Sequence, residues 1–199
     1  IGMLSALGYD FMDENGDRLS PVFDSLEKVV QIKNNRVPEV LKDCHFQIAC
    51  DVTNPLCGAR GCVYVFGAQK GVKEEEKESM DRAMQSYAAC LEKFTGKKLS
   101  EIPGTGAAGG LGFAFLWGLP NVELKPGIDI VLEAVGLTNE LKDADVVVTG
   151  EGCLDFQTAM GKVPVGVAKT AKNYNCKVIA FAGSVTEEAK NCNCLLYTS

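Results

Sequence analysis

Residues 139–184 read NELKDADVVVTGEGCLDFQTAMGKVPVGVAKTAKNYNCKVIAFAGS, and the order of apolar runs in them decides the fold. Residues 145–150 form a short β-branched run, 164–174 read as a helix, and 177–183 are a second apolar run. A strand, a helix and a strand in that order make a crossover unit whose two strands lie parallel. The stretch TGEGCLDFQTAMGK at 149–162 is expected to be the loop leaving the first strand. In open parallel sheets ligands bind beyond the carboxyl ends of the strands, so chemistry is expected in this loop.

Upstream, the chain alternates elements of both types. IGMLSALGYDFM reads as the end of a helix followed by a strand at 9–12, closed by the turn ENGD, where Asn15 and Gly16 favour positive φ. FQIACDV at 46–52 and CVYVFG at 62–67 are both expected to be strands, the first of them buried. Residues 73–96 place Met80, Met84, Tyr87, Ala88 and Leu91 at helical spacing, with Gly96 as the C-cap. The charge run KEEEKE is the solvated, dipole-complementing start of that helix. Composition and connectivity shift near residue 142, where a domain boundary is expected.

The 199 residues carry 46% hydrophobic and 23% charged side chains, the balance of a globular chain that buries a real core. A net charge of −6 with one His argues against nucleic acid as a partner, because broad binding to phosphates needs a basic surface. The longest apolar run, LGFAFLWGL at 111–119, is too short to span a membrane. Nine cysteines, odd in number and without zinc-ligand spacing, are expected to be reduced thiols in the cytoplasm. Cys192 and Cys194 form a C-x-C that reads as a loose tail. The first residue is Ile and no basic leader precedes an apolar stretch, so the chain is expected to begin inside a gene product without a signal peptide.

Gly104, Gly106 and Gly109 in EIPGTGAAGGLGFAF have the spacing of a dinucleotide fingerprint, and Asp129 lies about where its acidic residue belongs. That motif works only where a strand enters the turn, yet GKKLSEIP is a polar loop with Pro103 next to the glycines. Asp129, after Pro126 and Gly127, reads as a first-turn helix residue. An NAD-dependent oxidoreductase is therefore the least favoured reading.

Three clusters could carry chemistry. Asp51 and Asn54 in CDVTNPLCGARG offer oxygen donors for a hard cation or a hydroxyl substrate, or else form an Asx-turn at a strand exit. Lys70 in VFGAQKG could neutralise a phosphate or carboxylate, though a surface Lys in a turn is the commoner case. Glu151, Asp155, Gln157, Thr158 and Lys162 share one glycine-rich loop. Two carboxylates with a Lys and backbone amides suit phosphoryl transfer, where cations spread the charge and a carboxylate accepts a hydroxyl proton.

ACDVTNPLCGARGCVYVFGAQKG, IPGTGAAGGLGFAF, LKPGIDIVLEAVGL and DADVVVTGEGCLDFQTAMGKVPVGVAKTAK together resemble the class I bacterial glycerate kinase family, from residue 1 to about 187. Four motifs in one order are more specific than any single one. Ala68 stands where the family usually has Pro, Thr105 where Ala is common, and Cys153 where Arg is usual. Members are about twice this long, and the tail NCNCLLYTS does not resemble them.

The resemblance implies two α/β domains, a flavodoxin-like parallel-sheet domain split by an inserted α/β domain, with the active site in the cleft between them. Residues 1–142 would then be most of the inserted domain and 143–199 part of the flavodoxin-like one. It implies ATP- and Mg²⁺-dependent phosphorylation of D-glycerate, with carbon 2 as the position modified. Asp51 and Asn54 would contact metal or substrate, Lys70 the glycerate carboxylate or a phosphate, and Glu151 and Asp155 the metal or the reacting proton. Gln157 and Lys162 would position these groups, and the turn holding Gly104 and Gly106 would either line an anionic substrate with amides or serve packing. The alternatives kept beside it are an inactive fragment and a sugar-acid-binding remnant; a homodimer is left open.

Overall fold

The computed structural model describes residues 1–155, 158 and 162–187. It is a mixed α/β structure whose contacts divide the chain into two compact units, Ile1–Lys125 and Pro126–Ser199. The division falls before the boundary near residue 142 expected from composition. The reason is local: helices α5 (Gly127–Ala134) and α6 (Leu137–Glu140) belong to the second unit, and Ile128 of α5 packs directly onto Gly166.

The first unit opens with α1 (Gly2–Ala6) and β1 (Asp10–Met12), and β1 pairs antiparallel with β2 (Gln31–Lys33). Its other pair is parallel, β3 (Phe46–Ala49) beside β4 (Val122–Lys125). β3 is shorter than expected and only half-buried, and among the described residues β4 is its one partner strand. The long helix α3 (Glu74–Thr95) runs as its periodicity dictates and stops at Gly96, where φ is +72°. Its apolar face, with Met84, Tyr87, Ala88 and Leu91, packs into one core with Leu4, Phe11, Leu56, Phe113 and Trp117. Trp117 lies on α4 (Leu111–Gly118), and its indole N–H donates to Leu91 O at 2.7 Å.

One expected strand is a helix. CVYVFG forms α2 (Cys62–Phe66), with Val65 N–H donating to Gly61 O at 3.1 Å and Gly67 N–H to Val63 O at 3.0 Å. Its β-branched and aromatic residues favour a strand. However, Cys62 and Val63 are buried while Tyr64 and Val65 both face solvent, so burial does not alternate in steps of two.

The second unit contains the crossover. β5 (Val146–Leu154), α7 (Val163–Lys172) and β6 (Lys177–Val185) come in that order, and β5 and β6 are parallel. Val165, Ala168 and Ala171 of α7 pack on Leu154 and Val178, with Val147 and Ala180 beside them. β5 runs farther than expected, so Glu151 and Cys153 are strand residues rather than loop residues. A longer partner explains this: β6 continues to Val185, and Glu151 pairs with Ala182 and Cys153 with Ser184.

Candidate functional site

The second unit gathers the chemistry at the carboxyl end of a parallel pair. Glu151 is near the end of β5, Asp155 is the first residue past it, and Lys162 is the N-cap of α7. Thr158, fully buried, joins the two acids. Its hydroxyl donates to Glu151 Oε1 in a short hydrogen bond. Its amide donates to Asp155 Oδ1 at 3.1 Å, and the Asp155 amide donates to Thr158 Oγ1 at 3.2 Å. Lys162 Nζ stands 3.8 Å from Asp155 Oδ1, with 43% of its side chain exposed. The cluster thus presents two oriented carboxylates and a cation at the edge where parallel sheets bind ligands. Gln157, expected beside them, lies outside the described residues, as do Cys192 and Cys194.

The first unit brings its own candidates together. The chain leaves β3 through exposed Asp51, and the Asn54 amide group donates to Arg60 O at 2.8 Å, closing the loop over 54–60. Asn54 O accepts the amides of Gly104 at 3.2 Å and Gly106 at 3.0 Å. Those two amides therefore tie the glycine turn to the Asn54 loop. Gly106 is required there, since a Cβ on it would collide with Pro55 O. Lys70 is exposed, and its Nζ is 3.9 Å from where a Cβ on Gly109 would sit, so its ammonium stands beside the turn. Thr105, in place of the commoner Ala, is fully buried and satisfies its hydroxyl on Ile102 O at 2.7 Å.

The context for a dinucleotide is absent. What precedes Gly104 is a turn running out of α3, and Asp129 sits in the first turn of α5, in the other unit. Among the described residues no helix is long and apolar enough to cross a membrane, and no group of three or more His, Cys, Asp or Glu is placed to hold a metal. Two carboxylates nevertheless suit Mg²⁺, which takes one or two of them and completes its shell with water and phosphate oxygens.

Two acids on α3 were not among the residues singled out by motif. Asp81, 4% exposed, accepts the Gly58 amide on both oxygens, at 3.0 and 3.1 Å, and Gln85 Nε2 at 2.7 Å. Glu92 Oε1 accepts the amides of Leu99 and Ser100, both at 2.7 Å. Burial pushes the Glu92 carboxyl up, but the Ser100 and Leu99 amides outweigh it and hold it below its usual range. Burial first, and then the Asp81 charge, pushes the Cys57 thiol up to about 12 and Cys62 to about 11. A signal for Asp81 was present in the sequence: it falls three and seven residues before Met84 and Ala88, on the apolar stripe of the helix.

The Glycerate kinase family pattern matches residues 1–196. A glycerate kinase from Haemophilus influenzae is 44% identical over 188 residues, which cover 94% of this chain and 50% of that protein. The glycerate 2-kinase of Escherichia coli K12 is 42% identical over 187 residues, 94% of this chain and 49% of its own length. A crystal structure of a glycerate kinase 2 candidate from Salmonella typhimurium LT2 superposes with a TM-score of 0.84 at 40% identity, over 93% of this chain and 51% of that one. The chain spans about half the length of the curated relatives it matches.

Proposed function

The chain belongs to the glycerate kinase family, and on that premise we propose that the protein transfers a phosphoryl group from ATP, with Mg²⁺, to the carbon-2 hydroxyl of D-glycerate. The observation that carries the proposal is the Thr158-bridged pair Glu151 and Asp155 with Lys162 beside it, at the end of a parallel strand. Phosphoryl transfer asks little covalent chemistry of a protein and much positioning, and this cluster is positioned.

Asp155 accepts the proton of the glycerate hydroxyl as that oxygen attacks, with its own orientation fixed by the Thr158 amide. Lys162 offsets negative charge at the same carboxylate edge. Glu151 and Asp155 would offer the hard oxygen donors for Mg²⁺, which when bound would neutralise phosphate charge. In the first unit Lys70 meets a carboxylate or phosphate, while Asp51 and Asn54 stand at the strand exit. The cysteine composition supports a cytoplasmic setting for the reaction.

The test is a coupled assay of ADP release by the full-length gene product containing these residues. D-Glycerate-dependent release is expected, and Asp155→Asn should lower kcat by about 10²–10⁴, the usual loss for a positioned proton acceptor. Glycerate binding without ADP release would leave a sugar-acid-binding protein instead.

A further inference from the structure

Helix α3 turns two carboxylates toward backbone amides of the loops beside it. Asp81 and Glu92 are eleven residues apart, so they share one helix face and stand about 16 Å apart along its axis. Asp81 takes the Gly58 amide on both oxygens. Glu92 takes the Leu99 and Ser100 amides, and Ser100 O in turn accepts the Leu56 amide at 2.9 Å. The short segment 56–58 is therefore gripped at both ends from the same helix. That segment lies just beyond Asn54, and the Asn54 carbonyl is what holds the glycine turn beside Lys70.

A buried carboxylate that accepts backbone amides makes charge-assisted bonds, stronger and more directional than neutral ones. Burying that charge is costly, so a neutral acceptor or water would have been the easier way to satisfy one loop amide. The Gly58 amide is held from a helix that is itself anchored in the core by Met84, Tyr87, Ala88 and Leu91. The loop then inherits the rigidity of the helix.

We propose that Asp81 is a positioning residue for the substrate-side loop: through the Gly58 amide it fixes the 54–60 loop and, with it, the place of Asn54 and of the turn next to Lys70. This rests on the glycerate kinase reading. Glu92 supports the same segment from its other end by way of Ser100.

The test compares Asp81→Ala and Asp81→Asn in the full-length gene product, reading Gly58 amide exchange, melting and steady-state kinetics together. In Asp81→Ala the Gly58 amide is expected to exchange at least about tenfold faster while core amides of α3 stay protected. The glycerate KM should rise about 10- to 100-fold with kcat changed far less, since a displaced binding group costs that much. Asp81→Asn keeps a neutral acceptor and should fall between wild type and Asp81→Ala in both readouts. If Asp81→Ala does not fold, the Asn variant decides by the same pairing. Faster Gly58 exchange with an unmoved KM would overturn the inference alone, as would a fall in kcat and melting temperature together at constant KM. Absence of glycerate turnover in the unaltered protein would overturn the kinase reading first, and the substrate role of Asp81 with it.

Discussion

Thr158 and Asp155 bond to each other in both directions: the Thr158 amide donates to Asp155 Oδ1 at 3.1 Å, and the Asp155 amide donates to the Thr158 hydroxyl at 3.2 Å. The same hydroxyl donates to Glu151, so one buried side chain sets the bearing of both acids.

Replacing Thr158 by Val keeps the shape and removes the hydroxyl that donates to Glu151 and accepts the Asp155 amide. Each hydrogen bond lost contributes about 0.5–1.5 kcal/mol, more where a charged group is the partner, and the acids lose their alignment. The kcat for glycerate phosphorylation is expected to fall about 10- to 100-fold, whereas Thr158→Ser should retain most of it. Steady-state kinetics decide; a Val variant within about twofold of wild type would remove Thr158 from the mechanism.

The crossover at 145–185, the long helix and its C-cap were legible because their patterns are local: apolar period, a β-branched run, a glycine after the last turn. The end of β5 was not, since a strand stops where its partner stops, and the partner is more than twenty residues away in sequence. CVYVFG misled because its propensity points one way and the packing of Cys62 and Val63 under α3 another. The Glu151, Asp155 and Lys162 cluster was visible as composition, but the bridging by Thr158 needed geometry. For Gly104 and Gly106 the sequence left an anion lining and a packing turn open, because spacing does not reveal that Asn54 O accepts their amides.

Glu92 gives the first unit an acid-sensitive joint. Its carboxyl is held below the ordinary value of 4.5, so the folded form prefers the carboxylate more than the unfolded chain does. The stability it supplies is full above that value and is lost as pH falls through the lower, folded pKa. Thermal melts followed by Trp117 fluorescence should show this decline below about pH 4.5, and Glu92→Gln should flatten it. An unchanged pH slope in the Gln variant would assign the acid sensitivity to other groups.

Cys57 and Cys62 should be slow nucleophiles. Their thiols are pushed up to about 12 and about 11, by burial and then by the charge of Asp81. The unfolded thiols ionise near 9, so these two favour the fold below that pH and weaken it as pH rises toward their folded values. With iodoacetamide at about pH 8, mass spectrometry should find both labelled far more slowly in the native chain than after denaturation, because the thiolate is the reactive form. Equal rates in the two states would mean that the α2 region opens readily.

The outer face of the β5–β6 pair predicts association. Val148 and Ile179 are register partners, and Phe181 pairs with Gly150, so these side chains lie on the face opposite α7. They are exposed by 62%, 41% and 67%, with Val146 and Val185 also open. Contiguous apolar surface of this kind drives contact with whatever surface is available, including a second copy. The isolated chain is expected to self-associate with rising concentration, and Phe181→Lys with Val148→Thr to suppress it while leaving the α7 side of the sheet intact. Sedimentation velocity across a concentration series measures this directly. Concentration-independent sedimentation of the unaltered chain would show that the face tolerates water, and would remove the ground for a homodimer formed through it.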